Sequence, residues 1–80
     1  MPEAFVLFKT QPAHEREVYL SLMEHSAVAE VHALYGEFDL LVRLSVDNPQ
    51  KLAQMLMTDF RQIKGVKDTQ TLIAVEYGDE

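Results

Sequence analysis

Eighty residues, 48% of them apolar, make one domain near the lower size limit for folding unaided, and the lack of cysteine removes disulfides, thiolate nucleophiles and cysteine-held metals. Seven basic residues are scattered among thirteen acidic ones, for a net charge of −6. Without a basic cluster there is no footprint for counterion release, so direct nucleic-acid binding by this chain is not expected.

Met1-Pro2-Glu3-Ala4-Phe5 has neither a basic n-region nor a cleavage site, and no apolar run approaches membrane-spanning length. A soluble cytoplasmic protein without membrane contacts is the expectation. Residues 4–10 read as a first strand, with Phe5 and Leu7 on one face and Val6 and Phe8 on the other. A strand apolar on both faces has to be covered on both. Gln11-Pro12 breaks it, and Pro12 suits the first turn of a helix whose Glu15 and Glu17 lie near the positive N-terminus. Val18 and Leu22 supply its apolar stripe, flanked by Tyr19 and Met23. The helix is predicted to stop around His25-Ser26, with His25 complementing the C-terminal dipole when charged.

Residues 28–35 read as the second strand, with Val31, Ala33 and Tyr35 on one face and Glu30, His32 and Leu34 on the other. The stretch Leu34-Tyr35-Gly36-Glu37-Phe38-Asp39-Leu40 then has the pattern of a β-hairpin with a short glycine-containing loop. Residues 40–46 form the third strand, with Leu40, Val42, Leu44 and Val46 opposite Leu41, Arg43 and Ser45. Asp47-Asn48-Pro49 combines a polar cap with a helix-opening proline. Leu52, Met55, Leu56, Phe60 and Ile63 form the stripe of a second helix, predicted to run to Lys64 with Gly65 at C′. Met55 and Met57 beside that stripe read as packing residues. A last strand opens at Val66, becomes apolar over Leu72-Ile73-Ala74-Val75, and leaves a short polar tail from Tyr77 to Glu80.

The order is βαββαβ. With right-handed crossovers on one four-stranded antiparallel sheet, it gives an α+β, ferredoxin-like arrangement with both helices on one face. The other face then carries apolar residues that a single chain leaves open, and sheet-face pairing of two chains into a dimeric α+β barrel is the expected solution.

Two segments carry a resemblance. They are Glu30-Val31-His32-Ala33-Leu34-Tyr35-Gly36-Glu37-Phe38-Asp39-Leu40-Leu41-Val42 and Lys64-Gly65-Val66-Lys67-Asp68-Thr69-Gln70-Thr71-Leu72. Together they resemble the ligand-binding (RAM) domain of Lrp/AsnC-type regulators from Ala4 to about Val75. Regulators of that family carry a helix-turn-helix domain ahead of the first strand. Here that strand starts about three residues after Met1, so residues 1–80 are expected to be one stand-alone ligand-binding domain without a DNA-binding domain. The resemblance implies face-to-face dimers and higher assemblies such as tetramers of dimers. It also implies small effectors, usually amino acids, bound between dimers near the central hairpin; no cofactor is expected. Mixed assembly with full-length regulators of the family is a physically plausible route to a partner.

A free amino acid needs an acceptor for its ammonium and donors for its carboxylate, since burying either charge unpaired costs several kcal/mol. Asp39 is the candidate acceptor, and the backbone around Gly36 allows close approach. Leu34 and Tyr35 are candidate walls, and Thr69, Gln70 and Thr71 offer hydroxyl and amide groups. Of these, the resemblance carries over Tyr35, Gly36, Asp39, Gln70 and Thr71. Read without it, Gly36 can serve the turn alone, Asp39 can close the loop on nearby N–H groups, and the threonines can reflect strand propensity. His14, His25 and His32 lie on three elements without metal-ligand spacing, and read as solvated or interface histidines. No Ser-His-Asp set, P-loop or dinucleotide motif is present. A regulatory module is therefore expected rather than an enzyme. The competing readings are an ACT-type module and a cofactor-free enzyme of the dimeric barrel type, the latter with only His32 and Tyr35 or Arg43 to offer.

Overall fold

Alternation along the first strand decides which side of the sheet becomes the core. In the computed structural model, which describes residues 3–75, Ala4, Val6, Phe8 and Thr10 are buried while the residues between them are not. The elements follow as β1 (Glu3–Thr10), α1 (Glu15–Met23), β2 (Val28–Ala33), β3 (Leu40–Ser45), α2 (Pro49–Met55), a π-helical turn (Leu56–Phe60) and β4 (Val66–Ile73). The strands form one antiparallel sheet in the order β2-β3-β1-β4, so β1 is hydrogen-bonded on both edges. Leu40, Val42 and Leu44 of β3 join the buried β1 residues, and Val18, Leu22, Leu52 and Phe60 close over them in one core. Phe60 meets Phe8 edge to face with centroids 5.8 Å apart. Such a contact adds about 0.5–1.5 kcal/mol beyond its buried area. The expected α+β, ferredoxin-like topology is the one observed.

The other face carries Phe5, Leu7, Lys9, Glu30, His32, Leu41, Arg43, Gln70 and Leu72, aligned by the register of the four strands. No helix covers it among the described residues, and Leu72 is 46% exposed.

Several boundaries differ from the sequence reading, each for a local reason. Strand β2 stops at Ala33 instead of Tyr35, and residues 34–39 form a wider connection closed by Leu34 N–H donating to Asp39 O at 2.8 Å. The Asp39 N–H is directed to Phe8 O of β1 at 2.8 Å, while Lys9 lies 5.5 Å from the Phe38 ring centroid and 3.9 Å from Glu37. The loop is thus fastened to β1 as well as to β2. Helix α1 begins at Glu15, after Pro12, because Ala13 has a φ of +69°. It ends at Met23, which is exposed, and His25 lies beyond it. Helix α2 opens as expected, with Asn48 Oδ1 accepting from Lys51 N–H at 2.8 Å and Pro49 in the first turn. It does not reach Lys64. Thr58 Oγ1 donates to Gln54 O at 2.7 Å, a local competitor for the helical ladder, and the chain widens into a π turn closed by Arg61 N–H on Leu56 O. Phe60 is still delivered to the core, but Met57 is exposed rather than packed. Strand β4 ends at Ile73, and the predicted tail from Tyr77 lies outside the described residues.

Gly65 does not cap α2. Its φ is +100°, its carbonyl accepts from Gln11 N–H at 2.7 Å, and a Cβ there would stand 2.8 Å from His14 Cβ and 3.1 Å from Val18 Cγ2. Gly36, at φ +149°, has open space on that side. Gly65→Ala combines backbone strain with overpacking and is expected to cost about 2–4 kcal/mol, whereas Gly36→Ala carries strain alone. Urea denaturation of the two variants checks this, and equal losses would contradict the close-approach role of Gly65.

Candidate functional site

In a βαββαβ chain the β1–α1 turn, the β2–β3 connection and the start of β4 all come to the same end of the sheet. The register shows this: Leu40 at the base of the connection pairs with both Ala33 and Phe8, and Phe8 also pairs with Thr69. Thr10, the last residue of β1, is buried at this end. Its backbone N–H and its hydroxyl both donate to Asp39 Oδ2, at 2.8 and 3.1 Å. Hydrogen bonds to a charged acceptor are each worth about 1.5–3 kcal/mol, so Asp39 holds the connection against the central strand. The sequence alternative, in which Asp39 binds N–H groups within its own loop, is replaced by a contact 29 residues away in the chain. Asp39 Oδ1 has no partner among the described residues.

Beside this anchor lies a cleft of about 410 Å³ lined by Glu15, Arg16 and Tyr19 of α1 and by Ala33, Leu34, Asp39 and Leu40. Its volume falls in the lower part of the range for small-molecule sites, and its apolar walls with a few charged groups match their usual make-up. Two of the sequence candidates, Leu34 and Asp39, are therefore in one cleft. Tyr35 is fully exposed at the tip of the connection, and Gly36 beside it is also exposed. Thr69 and Thr71 lie on the helix side of β4, opposite Phe8 and Val6, whereas Gln70 is opposite Leu7 on the uncovered face. Thr69 borders a separate recess of about 330 Å³ with Arg61, Val66, Lys67 and Asp68. Because β1 stands between β3 and β4, the hairpin and β4 candidates are two strand spacings apart, about 9–10 Å. Within one chain they do not form a single site. The sequence reading missed Glu15, Arg16 and Tyr19. Their signal was the topology itself, which places the start of α1 at the hairpin end.

The uncovered face has its own electrostatics. Arg43 grips Glu30 through Nε and Nη2, at 3.1 Å each, and reaches Glu3 through Nη1 at 3.0 Å. His32 Nε2 is 3.2 Å from the same Glu30. The Arg43 guanidinium, followed by His32, lowers the Glu30 carboxyl from the ordinary 4.5 to about 2, and Glu30 in turn raises Arg43. His25 serves elsewhere. Its Nδ1 accepts from Ala27 N–H at 3.1 Å, its Nε2 is 2.8 Å from Asp59, and its ring meets Phe60 at 5.1 Å. His25 and then Thr58 hold Asp59 below the usual carboxylate range. The histidines thus act in three separate local contacts, and among the described residues no group of three or more His, Asp or Glu is placed to hold a metal. No helix is long and apolar enough to cross a membrane among the described residues.

The fold and the cleft are those of a small α+β domain with room for a small ligand and, among the described residues, a sheet face that no helix covers. Comparison with known proteins narrows that class. The family model of the Lrp/AsnC ligand binding domain matches residues 3–77. An uncharacterized HTH-type transcriptional regulator of Pyrococcus horikoshii is 31% identical over 74 residues, covering 89% of this chain and 49% of the relative. The chain therefore spans about half the length of the curated relatives it matches. The crystal structure of FFRP-DM1 is 35% identical with a TM-score of 0.88, covering 94% of this chain and 100% of the other. The L-Met complex of transcriptional regulator NMB0573 from Neisseria meningitidis shares the fold at 21% identity and a TM-score of 0.86, covering 99% of this chain and 53% of the other. The chain belongs to the Lrp/AsnC ligand-binding domain family. That is a regulatory family of transcription regulators and not an enzyme family, which decides against the barrel-enzyme alternative.

Glu30 gives a pH prediction. Its folded pKa lies below its unfolded one, so its contribution to stability is complete above about pH 4.5 and is lost as the pH falls toward 2. Glu30→Gln should flatten that part of the acid-unfolding curve. A variant curve parallel to that of the parent through this window would remove Glu30 from the account.

Proposed function

We propose that the chain is an amino-acid-sensing regulatory module that works as an oligomer and makes no nucleic-acid contacts itself. The observation that carries this is the hairpin Tyr35-Gly36-Glu37-Phe38-Asp39, fastened to β1 by Asp39 and standing beside a cleft of ligand size, in a chain of the Lrp/AsnC ligand-binding family. The related NMB0573 regulator in complex with L-Met supports an amino acid as the class of effector. Asp39 is the acceptor for the ammonium, with Leu34, Tyr35 and Gly36 around it. The exposure of Tyr35 and Gly36 suits residues that a neighbouring subunit covers.

Thr69, Gln70 and Thr71 complete the reading as groups offered to a neighbour. Gln70 lies on the uncovered face, together with Phe5, Leu7, Leu41 and Leu72, and pairing two such faces buries that apolar area. Higher assembly then brings hairpins and β4 starts of different chains together. The same faces allow mixed assembly with full-length regulators of the family, through which a bound effector would influence transcription.

A thermal-stability screen against the twenty amino acids, with assembly mass measured in parallel, tests this. An effector at 100 times its Kd should stabilise the folded chain by about 2.7 kcal/mol. No shift in melting or mass with any of them would sink the sensing role. Asp39→Asn keeps an oxygen for Thr10 but removes the charge, and should abolish a shift that the parent shows. Leu41→Glu, on the uncovered face, should reduce the assembly to monomers that retain the parent circular dichroism.

A further inference from the structure

We propose that the first two turns of α1 form the other half of the effector site, with Arg16 binding the amino acid's carboxylate across the cleft from Asp39. The inference rests on the hairpin being the effector site and adds the side of it that α1 supplies.

The cleft has two charged poles and an apolar middle. On the sheet side, Asp39 uses Oδ2 for Thr10 and keeps Oδ1 uncommitted. On the helix side stands Arg16. The ion pairs among the described residues involve Lys9, His14, His25, His32, Arg43 and Lys51, and Arg16 is in none of them. A guanidinium matches a carboxylate with two parallel donors, which an ammonium cannot do. Glu15 is also on the rim but is exposed, whereas Asp39 is half-buried and already fixed in position. An ammonium is therefore better held at Asp39, which leaves the carboxylate to the α1 side.

Between the poles, the Tyr19 ring and Leu34 present apolar surface over a nearly buried Leu40, and the remaining ionisable groups of the lining are the exposed Glu15 at the rim and the Tyr19 hydroxyl. An α-amino acid placed with its charged ends at Arg16 and Asp39 has its side chain against Tyr19 and Leu34. Apart from the solvent-facing Glu15 and the single Tyr19 hydroxyl, that wall offers a charged or amide side chain no partner to offset its desolvation. The class selected is thus an α-amino acid with an aliphatic or thioether side chain, and one chain supplies both of its charge partners.

The test is calorimetric titration of the 80-residue chain with L-leucine, L-methionine, L-aspartate and L-lysine, repeated on Arg16→Gln, Arg16→Lys and Asp39→Asn. Arg16 is exposed, so Arg16→Gln should melt at the parent temperature without ligand. Its Kd for leucine or methionine should rise about tenfold or more, the loss of one charge-assisted contact, with Arg16→Lys recovering part of it. Leucine binding that is unchanged in Arg16→Gln but lost in Asp39→Asn would overturn the α1 assignment and leave the sensing role standing. Aspartate or lysine binding as tightly as leucine would overturn the apolar selectivity. No binding of any amino acid to the parent chain would overturn both the inference and the function beneath it.

Discussion

Strand β1 is apolar on both faces and hydrogen-bonded on both edges, and the rest of the molecule is placed by that fact. One face must be covered by helices, so α1, α2 and the π turn bring Val18, Leu22, Leu52 and Phe60 to Ala4, Val6 and Phe8. The opposite face, with Phe5 and Leu7 at its centre, has no cover from its own chain among the described residues. The two crossovers, from β1 to the edge strand β2 and from β3 to the edge strand β4, also decide where the chain's turns gather. The cleft is therefore a by-product of how β1 had to be enclosed, since the enclosure brings the hairpin and the start of α1 to one end.

Much of this was legible in the sequence because it depended on period alone. Two-residue alternation assigned Leu40, Val42 and Leu44 to one face and Leu41 and Arg43 to the other, and the register agrees. The Asn48-Pro49 start of α2 needed only local chemistry, and it too is present. What the pattern did not carry were features set by contacts between distant segments. The connection at residues 34–39 is longer than a tight hairpin because Asp39 is claimed by β1. Gly65, at the sequence position of a helix cap, is required by the proximity of His14 and Val18. The π turn depends on a threonine hydroxyl choosing Gln54 O over solvent, which no apolar stripe encodes.

The site shows the same division. Asp39 was identifiable from its place after the hairpin glycine, but its bonds to Thr10 were not. Leu34 lines the same cleft as Asp39, whereas Gln70 and the two threonines beside it face opposite sides of the sheet. Residues on adjacent positions of a strand cannot serve one pocket in their own chain. Arg16 was passed over because a charged residue in a first helical turn is ordinary by itself. Only the fold shows that it lines the cleft beside the hairpin.

Gly65 sets a limit on how this end of the molecule can respond. Its backbone lies so close to His14 and Val18 that there is no slack between the start of α1 and the turn into β4. The Gln11–Gly65 hydrogen bond ties the two segments together. If something wedges into the cleft on the hairpin side, α1 cannot give way toward β4, because the glycine acts as a stop. The helix can yield only away from the sheet, or carry the beginning of β4 along with it.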